Sequence, residues 1–483
     1  VPIPDVIITQ LDGALGILPP SAGKMLAFVG VASLGAIATP AAFSRASDIQ
    51  ANFGEGITVE AACYAIERYG KPVIFVRSAT STPGAAGVLV DDGVLGTSVI
   101  TNDVSSAPLD DYEAGVLIVG GGTKGTAGIT YQWTLDGGRT YSPITALGIA
   151  GTITIPNSGV VFAIGAGTLL AGDTWSTRTT APISDAAAVA AALTALGAAL
   201  LPWEFAYVTA PILPTTLAAI DTAASSLAAA GKFRWFVGNT RMPNEGETEA
   251  AYKTSLDGLF GDLSCKSLSL YAGAAKTVSS VSYRNYRRPI AFSVAPRQSS
   301  VSEEINLAEV DLGPLPGVTI RDSNGNPDEH DEAINPGLDD SRFGTARTWD
   351  GVEGVYITWP RIFAPTGSDF QIAPYRRVMN LFCETVRLYM LHRIAKPIRV
   401  DKATGFILEA DALEIEAGAL AQLRTVLMKK PKASDVQFVL SRTDNLISTQ
   451  TLTGDGRLVP LAYPKFIEIV LGFNNPALRV VAV

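Results

Sequence analysis

Residues 338–365 read LDDSRFGTARTWDGVEGVYITWPRIFAP. The first half sets Asp339, Asp340 and Arg342 among Gly344, Gly351 and Gly354, a turn-rich pattern. The second half, 355–359, is apolar and β-prone and reads as a buried strand. An α/β-like region precedes this stretch, and a differently charged region of helices and strands follows it. The stretch is therefore read as a junction between two domains.

Upstream, helix and strand alternate. A helix is expected from Ala186 with Ser184 as its N-cap. Strand 205–209, helix 215–229, strand 233–238, helix 247–260 and strand 267–271 follow, the order expected of an α/β sheet. MLAFVGV at 25–31 and the run 72–77 are further buried strands. Between them a helix carries Val59, Cys63, Ile66 and Tyr69 on one face. From 84 to 182 helical periodicity disappears, and short strands are punctuated by Gly120-Gly121-Gly122 and Asp136-Gly137-Gly138. This predicts a β-rich insertion. Residues 286–302 read as a basic turn and an irregular segment. Between Glu303 and Asp340 eleven carboxylates face one arginine, Arg321, a solvated surface.

Downstream, helices are expected at 374–394 and 408–428, with strands at 399–400, 436–440, 446–452 and 466–471. Both ends are extended, apolar and proline-guarded: VPIPDVIITQL at the start, LRVVAV at the finish. Neither can build a core alone, so each is expected to find its ladder partners elsewhere.

The 483 residues suffice for two to four domains. Only 17% are charged, against about 25% in an average soluble protein, which suggests surface covered by partner subunits. A net charge of −9 argues against nucleic-acid binding by the whole chain. No apolar run is long enough for a membrane span, and no basic-then-apolar start marks a signal peptide. Cys63, Cys265 and Cys383 fit isolated buried thiols in a reducing compartment.

Catalytic chemistry has little material. His330 and His392 are the only histidines. Asp322, Asn324, Asn326 and Asp328 are spaced like half a calcium loop. Pro327 stands where that loop needs glycine, and Ala333 where it needs glutamate, so a solvated turn is the better reading. Gly120-Gly121-Gly122 lacks phosphate-loop spacing. No catalytic residue, metal ligand or cofactor site is assigned, and the chain is read as a non-enzyme.

The segments LDDSRFGTARTWDGVEGVYITWPR, TGSDF at 366–370, YRRVMN at 375–380, RVDKATGFILEADALEIEAG at 399–418 and LVPLAYPKFIEIVLGFNNP at 458–476 resemble the contractile phage tail sheath proteins. AGDTWSTRTTAP at 171–182 adds to the likeness. The resemblance implies a multidomain α/β fold. Its parts would be an extended arm at 1–20, a discontinuous α/β domain at 21–83 and 183–363, and an inserted β-rich domain at 84–182. An inner α+β assembly domain at 364–469 and a second arm at 470–483 complete it. Because the numbering opens at Val1 without an initiator methionine, the first arm is expected to be longer than the stretch shown.

It further implies stacked hexameric rings of this chain around a tail tube protein, bounded by baseplate and tail terminator proteins. The expected location is the virion tail, assembled in the host cytoplasm, with contraction driving the tube through the host envelope. No direct nucleic-acid contact and no membrane insertion are expected. Another structural virion component, tail tube or baseplate, is the alternative; an enzyme or adhesin using the β insertion is more remote. The arms would donate Ile3, Ile7, Ile8 and Leu11, and Leu478, Val480, Val481 and Val483, as strands to neighbouring copies. From 364 to 432 eleven Lys/Arg oppose seven Asp/Glu. Arg376, Arg377, Arg387, Arg393, Lys396, Arg424, Lys429 and Lys430 are the basic candidates for an acidic tube.

Overall fold

The structure, a computed structural model, describes residues 24–149, 151–322 and 324–473. The arm residues Ile3, Ile7, Ile8, Leu11, Leu478, Val480, Val481 and Val483 lie outside the described residues.

Strand β1 (Met25–Gly30) is buried along its whole length. Its side chains alternate between two cores: Leu26 and Phe28 in one, Met25, Ala27 and Val29 in the other. A strand apolar on both faces requires helices on both faces. After β2 (Ala41–Phe43) and α1 (Ala46–Phe53), helix α2 (Ile57–Tyr69) covers the first face and leads into β3 (Val73–Arg77).

Eleven short strands, β4–β14, then run from Ala85 to Thr180 with no described helix among them. Here β7 (Glu113–Gly120) pairs antiparallel with β9 (Thr130–Thr134) and β14 (Thr174–Thr180). A smaller sheet joins β6 (Ile100–Asn102), β12 (Val161–Ile164) and β11 (Thr152–Thr154). Both contribute to a core containing Val116, Ile118, Phe162 and Trp175.

Helix α3 (Ala186–Ala198) resumes the alternation with β15 (Trp203–Pro211), α4 (Pro214–Ala229), β16 (Trp235–Asn239), α5 (Glu249–Phe260) and β17 (Leu268–Tyr271). Its cap is Asp185, which accepts from the Ala188 amide at 2.8 Å; Ser184 is buried against Ser78 instead. The sheet order is β17-β16-β15-β1-β3-β2, parallel except for β2. Helices α3, α4 and α5 supply the core on its second face.

Residues 286–302 are not irregular. β18 (Ala274–Val278) pairs with β19 (Asn285–Pro289), and α6 (Ala291–Ser300) follows. Pro296 inside α6 hides the helix from sequence reading. Burial of Phe292, Val294 and Ala295 against the first core holds it together. β20 (Val318–Thr319) then joins β18.

The deciding stretch forms the hairpin β21 (Ala346–Trp349) and β22 (Val352–Ile357). Gly351 at the tip has φ 75°, a left-handed conformation that favours glycine. The stretch lies within the first of two compact units, which ends at Ala395. Phe343 stacks on Phe363 at 5.6 Å, and Arg361 reaches both oxygens of Asp339 at 3.0 and 2.8 Å, so the stretch closes upon itself within the body.

The chain divides between Ala395 and Lys396. Helix α7 (Ala373–Leu391), read from sequence as opening the inner domain, therefore counts with the first unit. Arg377 fixes it there by bonding Glu204 of β15. The second unit holds α8 (Glu409–Leu427), β23 (Ala433–Leu440), a one-turn helix α9 (Leu446–Thr449) and β24 (Gly454–Pro460). The strand expected at 446–452 is replaced by α9, capped by Asn445 accepting from Ser448. The expected strand at 466–471 has no ladder partner among the described residues. β24, GDGRLVP, is poor in strand formers and exists through its register with β23. No helix among the described residues is long and apolar enough to cross a membrane.

Candidate assembly surfaces

In the second unit, β23 alternates as a half-buried strand should: Ala433, Val436, Phe438 and Leu440 are buried, and the residues between them are not. Its partner β24 is exposed almost throughout. Among the described residues the sheet has two strands, and such a sheet is marginal in water without further strands or a covering layer. Helix α8 covers one face. Its Glu416 accepts from the Leu440 amide and from Arg442 Nη1, each at 2.6 Å, while Arg442 Nε reaches Glu409 at 2.7 Å. The Arg442 guanidinium holds Glu416 below the usual carboxylate range, and Glu416 in turn raises Arg442.

After β24 the chain runs without regular structure to Phe473. Phe466 is 79%, Ile469 71% and Val470 99% exposed, with Ile467 and Leu471 similarly bare. A tract this apolar, this exposed and without ladder partners among the described residues is a strand-addition hazard for an isolated chain.

The basic candidates divide. Arg377 is 3% exposed and bonds Glu204 at 2.6 and 3.3 Å and the carbonyls of Val301 and Ser302, so it is withdrawn from the tube-facing set. Arg376 is half-buried over the Phe370 ring at 4.9 Å. Arg393 is half-buried and donates to Tyr389. Arg387, Lys396, Arg424, Lys429 and Lys430 are exposed.

Two buried polar groups escape sequence reading. Arg288 of β19, 1% exposed, donates to Glu60 of α2 at 2.6 Å, to Asp110 of the β-rich stretch at 2.8 Å and to the Asp111 carbonyl at 3.1 Å. Burial opposes its charge, and the carboxylates outweigh burial. The signal for it was Glu60, a lone acid in the apolar run ITVEAACYAI. His330, expected in a solvated turn, is 2% exposed between Glu249 at 2.7 Å and Glu332 at 3.0 Å. Burial lowers its pKa, the two carboxylates more than reverse this, and the ring is raised to about 9. Asp322 itself caps a local turn, accepting from the amides of Asn324 and Asn326. No group of three or more metal-ligating side chains converges among the described residues.

A family model described as DUF2586, N-terminal domain, matches residues 3–359. No curated protein is significantly similar to the sequence. Among solved structures, a chain of the anti-feeding prophage baseplate aligns over 98% of this chain and 100% of its own, at 9% identity and a TM-score of 0.51. A chain of the anti-feeding prophage helical sheath in the contracted state aligns over 98% and 100%, at 10% identity and 0.50. A sheath tail protein of Desulfitobacterium hafniense aligns over 95% and 100%, at 12% identity and 0.45. At such identities the first two likenesses speak to fold.

Proposed function

We propose that this chain, which belongs to the DUF2586 family, is the repeating subunit of a contractile tail sheath and has a structural rather than a catalytic role. The observation that carries this reading is the unfinished β23–β24 sheet followed by an exposed apolar tract at 466–473. A surface of this kind is completed when strands from other copies join the sheet and the tract joins theirs. Support comes from the shared fold with a helical sheath chain along nearly the whole length. The low charge content agrees with a surface largely covered in assembly.

On this reading, copies stack as hexameric rings around a tail tube and end at a baseplate and a terminator. The arms 1–20 and 470–483 link the rings, with the donated set widened inward to include 466–473. The exposed cations Arg424, Lys429 and Lys430 face an acidic tube through ion pairs weak enough to release on contraction. Assembly takes place in the host cytoplasm, and contraction drives the tube through the envelope.

Deleting residues 461–483, and separately 478–483, followed by sedimentation and negative-stain microscopy, tests the reading. Full-length chain building hollow cylinders while both deletions stay as folded monomers is the expected result. Cylinders that form as readily from the shorter deletion place the linkage in 461–477. Cylinders formed equally by both remove the proposal.

A further inference from the structure

Arg376 and Arg377 are adjacent on α7 and meet opposite fates. Arg377 is buried with every direction of its guanidinium answered by Glu204 and two carbonyls. Arg376 is withdrawn from water over Phe370, makes no ion pair among the described residues, and keeps a buried Nε–H without an acceptor. Desolvation lowers its pKa with no carboxylate to restore it. A cation partly removed from water and left without a counter-ion is costly to the isolated fold.

Arg376 borders a cup of about 360 Å³, walled by α4 and the segment 264–267. Lys266 stands exposed on the rim, with Ser225, Ser264 and Ser267 around it. Asp221 also lines the cup, but it lies beyond ion-pair distance of Arg376 and accepts from the Cys265 thiol at 3.2 Å. The formal charges leave the cup with one net positive charge.

We infer that this cup receives a carboxylate side chain from a second copy of the chain, Arg376 and Lys266 supplying its counter-charges. The volume accommodates an aspartate or glutamate head and excludes a folded element. A second copy is the fitting source because each carries 46 acidic against 37 basic residues, so packed copies present carboxylates in excess. Arg376 is thereby moved from the tube-facing set to a contact between copies. The inference rests on the polymerising role proposed above.

The test uses full-length chain. Arg376→Gln is expected to keep or raise the melting temperature of the monomer, since it removes an unanswered cation, and to raise the critical concentration for polymer at least tenfold. Arg376→Lys should recover part of that loss. Carbodiimide cross-linking of polymer grown from mixed light and isotope-labelled chains should join Lys266 to an acidic residue in mixed-isotope pairs. A lowered melting temperature for Arg376→Gln with unchanged critical concentration assigns the residue to the fold and overturns the inference. So do Lys266 cross-links confined to single-isotope products. Wild-type chain that forms no polymer under any condition removes the sheath reading itself, and this inference with it.

Discussion

Arg288 Nη2 lies 2.8 Å from Asp110 Oδ2, with both side chains 1% exposed, and this contact ties the β-rich stretch to the α/β body. The same nitrogen is 2.6 Å from Glu60. A point of attachment made from three buried charged groups is unforgiving: removing Arg288 leaves Glu60 and Asp110 without the cation they share.

Arg288→Met is therefore expected to cost about 3–5 kcal/mol, the usual penalty for breaking a buried pair from one side. Urea unfolding of the monomer measures it. A loss below about 1 kcal/mol shows that water or rearrangement satisfies Glu60 and Asp110.

His330 gives the protein a pH dependence of defined sign. Its folded pKa is raised to about 9 from an ordinary 6.5 by Glu249 and Glu332, burial acting against them. The stabilisation is thus fully present below about pH 6.5 and is lost as pH rises through about 9. Because the Glu249 side chain is 40% exposed, the effect is put at about 2 kcal/mol rather than the full shift. Thermal unfolding between pH 6 and 10 should show the decline in wild type and a flatter profile in His330→Phe. Parallel profiles for the two proteins sink the assignment.

Glu416 organises the second unit. Glu416→Leu leaves the Leu440 amide without its acceptor and Arg442 with Glu409 as its remaining carboxylate, at a cost of about 1–3 kcal/mol for the buried amide. Hydrogen exchange on the full chain should accelerate in 433–440 and 454–460 and stay unchanged in β1 and β15. Uniform acceleration contradicts a local role.

The apolar tract separates assembly from folding. Ile467→Lys with Ile469→Lys alters side chains that are more than 70% exposed, and exposed changes of this kind fall within about 0.5 kcal/mol. The melting temperature should hold while polymer is lost. Polymer of normal yield shows that the tract is not a contact between copies.

The sequence by itself determined the repeating strands and helices of the α/β body and the strand-only character of 85–180. These follow from short-range rules: β1 is apolar at every position because both faces are covered, and glycine turns break the β-rich stretch at regular intervals. It also determined the places of α7 and α8, expected at 374–394 and 408–428. Only the tertiary structure decided what depends on partners distant in the chain. Arg376 and Arg377 share charge, helix and neighbourhood, yet Glu204, 173 residues away, answers one and not the other. Arg288 finds Asp110 across 178 residues. His330 sits in a run rich in turn formers and is nevertheless buried by α5. Pro296 argues locally against α6, and burial of its neighbours overrides it. Local propensity is worth tenths of a kcal/mol per residue, while a buried contact or a satisfied charge is worth several times more, so where the two disagree the long-range term prevails.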